Sequence, residues 1–108
     1  MFEVYNSLGY GYKEKYYQRA VASVLKDYKL EFREQVPAKI KFKHRIIGRV
    51  FFDFLIANKI ILEIKKTDRF SKQEINQVHG YLKASSLKLG ILAHFTKDDI
   101  KYKRILNI

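Results

Sequence analysis

The pattern of hydrophobic and polar positions along this chain changes its period several times and so predicts a series of elements. From about residue 12 to residue 29 the hydrophobic positions recur at helical spacing. The stripe of this predicted helix consists of Tyr17, Ala20, Val21, Val24, Leu25 and Tyr28. From residue 30 the period becomes two, which predicts strands over residues 30–36, 39–44, 49–56 and 59–65, with a turn at 45–48.

The second half of the chain predicts a helix and two more strands. Ser71 and Glu74 form a capping-box pattern that opens a helix reaching about Ser85. Residues 87–95 then predict a buried strand, and residues 100–106 a last strand with a basic outer face. Strands 49–56 and 59–65 are largely apolar on both faces, so they are expected in the middle of a sheet that helices cover on both sides. The prediction is one domain, residues 1–108, of mixed α/β (α+β) class.

Three charges interrupt the two central strands. Asp53 stands alone in the apolar run of residues 50–56, and Glu63 and Lys65 close the run that starts at Ile60. If three residues connect the strands, position 53 lies opposite position 63 and their side chains share one face. An unpaired ion is costly to bury, so the sequence predicts either a metal site or a structural ion-pair cluster. Two acids against one lysine favour a bound cation.

Three helical positions are further candidates, each with an ordinary alternative. Glu14 lies three residues before Tyr17, which aims it at the core, but it also suits the positive end of the helix dipole. Gln77 and Tyr81 are four residues apart, so they lie on one face of the second helix. Surface polarity and packing would explain these two residues as well.

The charge balance indicates a polyanionic partner. The 108 residues include 22 Lys and Arg against 11 Asp and Glu, a net charge of +11. Such a field attracts nucleic-acid phosphates, although a generically basic surface is the alternative. A lysine row on strand 39–44, whose other face should pack on the core, could bind phosphate or guard a sheet edge. The candidate nucleic-acid contacts are Lys39, Lys41, Lys43, Arg45, Arg49 and Lys66.

Other classes of function are excluded or disfavoured by composition. The chain has no cysteine, which rules out thiolate metal sites and a cysteine nucleophile. No apolar run approaches the ~20 residues that span a bilayer, and the first residues lack a signal pattern. We therefore expect a cytoplasmic protein without a membrane partner.

Four fragments in order resemble one family. Gly11, Glu14 and Tyr17, then Asp53, then Glu63-Ile64-Lys65, then Gln77 with Tyr81 resemble the GxxExxY proteins, a compact branch of the PD-(D/E)XK nuclease superfamily. Each fragment is weak alone, but together they cover nearly the whole chain. One departure is Phe52, which replaces the proline before the acid.

The resemblance implies a restriction-endonuclease-like αβββαβ core and a metal-dependent nuclease. It implies that Mg²⁺, with Mn²⁺ as a substitute, binds Asp53, Glu63, the main-chain carbonyl of Ile64 and Glu14. Lys65 would assist the attacking water, and Gln77 and Tyr81 would support Lys65 or contact the phosphate. DNA is the expected substrate more than RNA. Apart from the resemblance, exposed edge strands such as residues 39–44 or 100–106 could pair two copies in a homodimer. A binding module without chemistry and an interaction protein remain open alternatives.

Overall fold

The computed structural model describes residues 2–107, so Met1 and Ile108 of the predicted domain lie outside the described residues. Three helices and five strands follow in the order α1 (Phe2–Leu8), α2 (Glu14–Asp27), β1 (Phe32–Phe42), β2 (Arg45–Ile56), β3 (Ile60–Lys65), α3 (Lys72–Ser85), β4 (Leu89–Phe95) and β5 (Ile100–Leu106). The predicted mixed α+β fold is confirmed. The short helix α1 was not predicted from the sequence; Val4 of this helix is buried in the core.

The five strands form one mixed sheet in the order β1-β2-β3-β4-β5. Neighbouring strands are antiparallel except β3 and β4, which are parallel and joined through α3. A parallel pair needs a crossover connection, and a helix that covers the sheet supplies it. The strands that carry Asp53 and Glu63 are therefore central, and β1 and β5 are the edges.

Helices cover both faces of the sheet, as the apolar character of its central strands predicts. On one face, residues of α1 and α2 such as Tyr17 and Val21 pack with Phe54 and Ile64. On the other face, residues of α3 pack with Phe52, Leu55, Ile61 and Leu92. The buried charged positions of the two central strands, Asp53 and Glu63, thus lie between two hydrophobic layers.

The hairpin of β1 and β2 corrects the sequence prediction. Strands 30–36 and 39–44 are one strand, and the predicted turn at 45–48 lies inside β2. The chain turns instead at Lys43 and His44, which both have positive φ, as a two-residue hairpin turn requires. Pro37 does not break β1 because an edge strand tolerates a missing N–H.

The face of residues 39–44 that was predicted to pack on the core is exposed. Ile40 and Phe42 are 37% and 60% exposed, and every residue from 39 to 47 is exposed. The end of the hairpin therefore lies outside the two helical layers. Strict alternation also fails there, because the register shifts between Ile40 and Lys41.

Gly90 and Gly80 offer a matched pair of substitutions that tests the packing of α3 on the sheet. A Cβ at Gly90 would lie 2.5 Å from Val78 Cγ1, whereas nothing lies within 4 Å of a Cβ at Gly80. We expect Gly90→Ala to lower the free energy of unfolding by about 1–3 kcal/mol through overpacking. Gly80→Ala should instead raise it by roughly 0.5–1 kcal/mol because alanine favours the helix. Urea denaturation of both variants measures the difference; equal effects would contradict the packing of α3 on β4.

Candidate active site

The two central strands part at Asp53 and Glu63. The antiparallel pairing of β2 and β3 includes Ile56 with Ile60 and extends to Phe54 with Leu62. Beyond this point side chains replace the ladder: the Asp53 N–H donates to Glu63 Oε1 at 2.9 Å, and the Ile64 N–H donates to Asp53 Oδ2 at 2.7 Å. The register that the sequence predicts is thus present, and both carboxylates are fixed by main-chain donors.

The carboxylates meet in the gap between the strands rather than on one face. Phe52 packs on the α3 side of the sheet and Phe54 on the α2 side, so simple alternation breaks at Asp53. Gln18 of α2 donates to Asp53 Oδ1 at 2.9 Å, whereas Glu63 lines a cavity beside α3. The prediction that both side chains share one face is wrong, because the irregularity in β2 lets Asp53 reach toward α2.

Burial raises the pKa of both acids. Asp53 and Glu63 are 7% and 9% exposed. Burial is the largest cause at Glu63, the charge of Asp53 adds to it, and together they raise the pKa of Glu63 to about 8. Burial also raises the pKa of Asp53, which the hydrogen bond from Ile64 partly opposes. At neutral pH the isolated pair therefore retains a proton.

Lys65 lies near both acids without forming an ion pair with them. Its charge lowers the pKa of Asp53 and of Glu63. Within residues 2–107, however, the one contact at salt-bridge distance joins His94 Nε2 and Glu74 Oε1, at 2.8 Å. The described side chains of Asp53, Glu63 and Lys65 thus do not form a structural cluster that is closed by direct salt bridges.

A cavity of about 320 Å³ opens beside Glu63 and Lys65. It brings these two residues together with the predicted Gln77 of α3. The cavity is lined by Phe52, Glu63, Lys65, Thr67, Arg69, Ser71, Gln73, Glu74 and Gln77. Through this cavity an external molecule can reach Glu63 and Lys65, an acid and a cation that are two residues apart on β3.

Glu14 is the first residue of α2, and its Oε1 accepts a hydrogen bond from the Lys66 N–H at 3.1 Å. It therefore joins the helix start to the end of β3, and its charge contributes to raising the pKa of Asp53. No group of three acidic, histidine or cysteine side chains among the described residues is close enough to hold a metal ion. Glu14 thus stands apart from the Asp53 and Glu63 pair.

Tyr81 does not line the cavity beside Glu63 and Lys65. Its ring packs edge-on against Phe52, with centroids 5.1 Å apart. It lines a second groove of about 540 Å³ between α3 and β1, to which Gln77 also contributes. Gln77 is therefore the point where the groove and the cavity adjoin.

The candidate nucleic-acid residues divide into three places. Lys39 and Lys41 line the groove beside Tyr81. The other hairpin residues, Lys43, Arg45 and Arg49, are exposed and do not line it. Lys66 follows β3, with Nζ 5.0 Å from the centroid of the Tyr10 ring.

Sequence reasoning missed Gln18 and the pair formed by His94 and Glu74. Gln18 lies four residues after Glu14 on one helix face, which was the available signal. His94 is fully buried; its Nδ1–H donates to the Thr67 carbonyl at 3.1 Å, and its Nε2 lies 2.8 Å from Glu74 Oε1. Its isolated place in the apolar strand β4 was a signal like that of Asp53. The pair fixes the 67–70 loop and the start of α3, which form one wall of the cavity.

Comparison with known proteins identifies a family and solved structures of similar fold. The family model of the PD-(D/E)XK nuclease superfamily matches residues 1–105. The crystal structure of SSO0001 is similar with a TM-score of 0.60 and 24% sequence identity, over 82% of this chain and 47% of that chain. This chain thus spans about half the length of that protein, and the likeness shows the fold alone. A search of curated proteins found no match. Over the described residues, no helix has the length and apolar character needed to cross a membrane.

Proposed function

Because the chain belongs to the PD-(D/E)XK nuclease superfamily, we propose that it is a metal-dependent nuclease that hydrolyses phosphodiester bonds, with DNA as the preferred substrate. The narrower likeness to GxxExxY proteins remains part of this proposal. The observation that carries it is the pair of buried carboxylates, Asp53 and Glu63, in the gap between two central strands beside Lys65 and an open cavity. The fold relative contributes nothing about the reaction.

The chemistry of the donors supports a hard divalent cation. Two carboxylates with raised pKa values lie together, and neither is closed off by a salt bridge with the described cations. Asp53, Glu63 and the Ile64 carbonyl would hold Mg²⁺ or Mn²⁺, which prefer oxygen ligands and retain several waters. The bound ion would act as a Lewis acid and would lower the pKa of a bound water. Glu14 would join as a more distant ligand or as a holder of water.

The chain's own side chains would position the reacting groups. The Lys65 ammonium, beside the acids and open to the cavity, would orient the attacking water and stabilise the charge that develops on the phosphate. Gln18 would hold the Asp53 carboxylate through its 2.9 Å hydrogen bond. Gln77 would contact the phosphate or Lys65, and Tyr81 would support Gln77 from the adjoining groove.

The basic groove supports a nucleic-acid substrate. Lys39 and Lys41 line it, and Gln77 lies where it adjoins the cavity beside Glu63 and Lys65. A phosphate backbone could therefore be held by lysines at one point while another phosphate lies beside Lys65. The net charge of +11 adds long-range attraction. Three further parts of this proposal come from the sequence. They are a preference for DNA over RNA, pairing of two copies through the edge strands β1 or β5, and a cytoplasmic location.

A nuclease-fold binding module without chemistry is the second candidate, favoured by the absence of a third acidic or histidine group close to Asp53 and Glu63 within residues 2–107.

The test that separates the two candidates is to incubate the chain with labelled single-stranded, duplex and branched DNA and RNA in Mg²⁺, Mn²⁺ or EDTA. We expect cleavage only with a divalent metal. Tight, salt-sensitive binding without cleavage on any substrate would refute the nuclease and leave the binding module.

A further inference from the structure

Three exposed tyrosines surround the loop between α1 and α2. Tyr10, Tyr12 and Tyr16, here named the tyrosine surface, are 47%, 48% and 41% exposed. An exposed aromatic ring offers apolar area and a π-system on which a ligand ring can stack. No role in the reaction described above uses these three residues.

The loop that carries the tyrosine surface is held in place. The Tyr17 hydroxyl donates to the Gly9 carbonyl, and the Tyr17 ring is buried and stacks on Phe95 at a centroid distance of 4.4 Å. Tyr12 packs edge-on against Tyr17 and against Tyr16, at 6.4 and 6.2 Å. The surface is thus anchored to the core before a ligand arrives, which lowers the entropic cost of binding.

The tyrosine surface adjoins the candidate active site through Lys66. The Lys66 N–H donates to Glu14, and the Lys66 ammonium lies 5.0 Å from the Tyr10 ring centroid. Lys66 directly follows Lys65 at the end of β3. Tyr10 is therefore placed beside the strand end that carries Glu63 and Lys65.

Cations also flank the other end of the surface. Lys15 Nζ and Arg19 Cζ lie 5.3 and 5.6 Å from the Tyr16 ring centroid. Alternating aromatic rings and cations are the arrangement that binds single strands, since bases stack on the rings while the cations meet the phosphates. A paired base inside a duplex has both faces covered and offers no face to a tyrosine.

We propose that the tyrosine surface stacks unpaired nucleobases next to the active site, so that the substrate is single-stranded nucleic acid or the single-stranded part of an end, flap or branch. This inference rests on the proposed nuclease, because only a nuclease makes the neighbouring cavity an active site. The binding of single strands can nevertheless be measured without cleavage. Tyr10 and Tyr16 are the stacking residues. Tyr12 positions Tyr16 by packing between it and the core.

The test measures affinity in EDTA for a labelled single-stranded oligonucleotide, as DNA and as RNA, and for the matching duplexes. The variants are Tyr10→Ala, Tyr16→Ala, Tyr10→Phe and Tyr16→Phe. The matched control is Tyr28→Ala, because Tyr28 is 69% exposed at the far end of α2, about 20 Å from the helix start. Thermal unfolding of each variant checks that the fold is intact.

We expect each alanine variant to weaken single-strand binding about tenfold and duplex binding less than about twofold. Both phenylalanine variants should bind within about twofold of the wild type, because stacking does not need the hydroxyl. Equal losses on single strand and duplex, no loss, or an equal loss in Tyr28→Ala would each overturn the inference. The DNA and RNA arms show which sugar is preferred.

Failure of this inference and failure of the nuclease are distinguishable. Tyrosine-dependent single-strand binding without cleavage in Mg²⁺ would refute the nuclease and leave the tyrosine surface. Cleavage in Mg²⁺ with single-strand affinity that is unchanged by Tyr10→Ala and Tyr16→Ala would refute the tyrosine surface and leave the nuclease.

Discussion

Glu63→Gln is expected to lower metal-dependent cleavage by roughly 10³-fold, or about 4 kcal/mol of transition-state stabilisation. The amide retains an oxygen that can accept the Asp53 N–H, the bond that Glu63 Oε1 makes at 2.9 Å. The substitution therefore removes the charge that would hold the metal while the strand geometry survives. Single-turnover cleavage rates at saturating enzyme measure the effect.

The matched control for this variant is Glu34→Gln. Glu34 is an exposed carboxylate on the neighbouring edge strand β1, so Glu34→Gln makes the same carboxylate-to-amide change without touching the site. We expect Glu34→Gln to retain the wild-type rate within about twofold. Asp53→Ala should match the loss in Glu63→Gln, with an additional loss of stability because the Ile64 N–H loses its acceptor. A Glu63→Gln protein that cleaves within tenfold of the wild type would exclude Glu63 from the chemistry.

The metal-free protein is expected to lose stability as pH rises from about 5 to about 8. In the folded state the pKa of Glu63 is raised to about 8 by burial and by Asp53, whereas the unfolded value is the ordinary 4.5. Between these values the folded chain binds a proton that the unfolded chain has released, so the free energy of unfolding falls with increasing pH. The loss is roughly 2–4 kcal/mol, measured by urea denaturation in EDTA at pH 5.5 and pH 8.5.

Measuring the same pH dependence of stability in Glu63→Gln separates the titration of Glu63 from that of all other groups. The glutamine cannot titrate, so its stability should change less between the two pH values than that of the wild type. Mg²⁺ should stabilise the wild type more at pH 8.5 than at pH 5.5, because a metal competes with protons for carboxylates. Identical pH dependence in wild type and variant would show that Glu63 titrates normally.

The sequence predicted the central part of the fold well because its signals are local. Apolar runs defined β2, β3 and β4, the capping box at Ser71 and Glu74 defined the start of α3, and both of its hydrogen bonds are present. The hairpin turn was misplaced for an equally local reason: Lys43 and His44 carry the positive φ that is usually marked by glycine or asparagine.

The candidate site was predictable in composition but not in geometry. A charge inside an apolar strand revealed Asp53 and Glu63, and the spacing of the hairpin gave their pairing. Alternation alone could not show that Phe52 and Phe54 pack on opposite faces, because that change results from tertiary packing against two helical layers. Gln18 and His94 act through contacts distant in sequence, at separations of 35 and 20 residues, which no spacing rule reaches.

The main-chain donors at the parting of β2 and β3 limit how this domain can change over evolution. The amides of Asp53 and Ile64 are satisfied by the acidic side chains and are buried in the middle of the sheet. An apolar residue at position 53 or 63 would leave one of these donors without an acceptor, at a cost of about 1–3 kcal/mol. A descendant that abandoned the reaction would therefore keep acids or amides at these two positions, so their retention in a relative reports on the integrity of the sheet before it reports on activity.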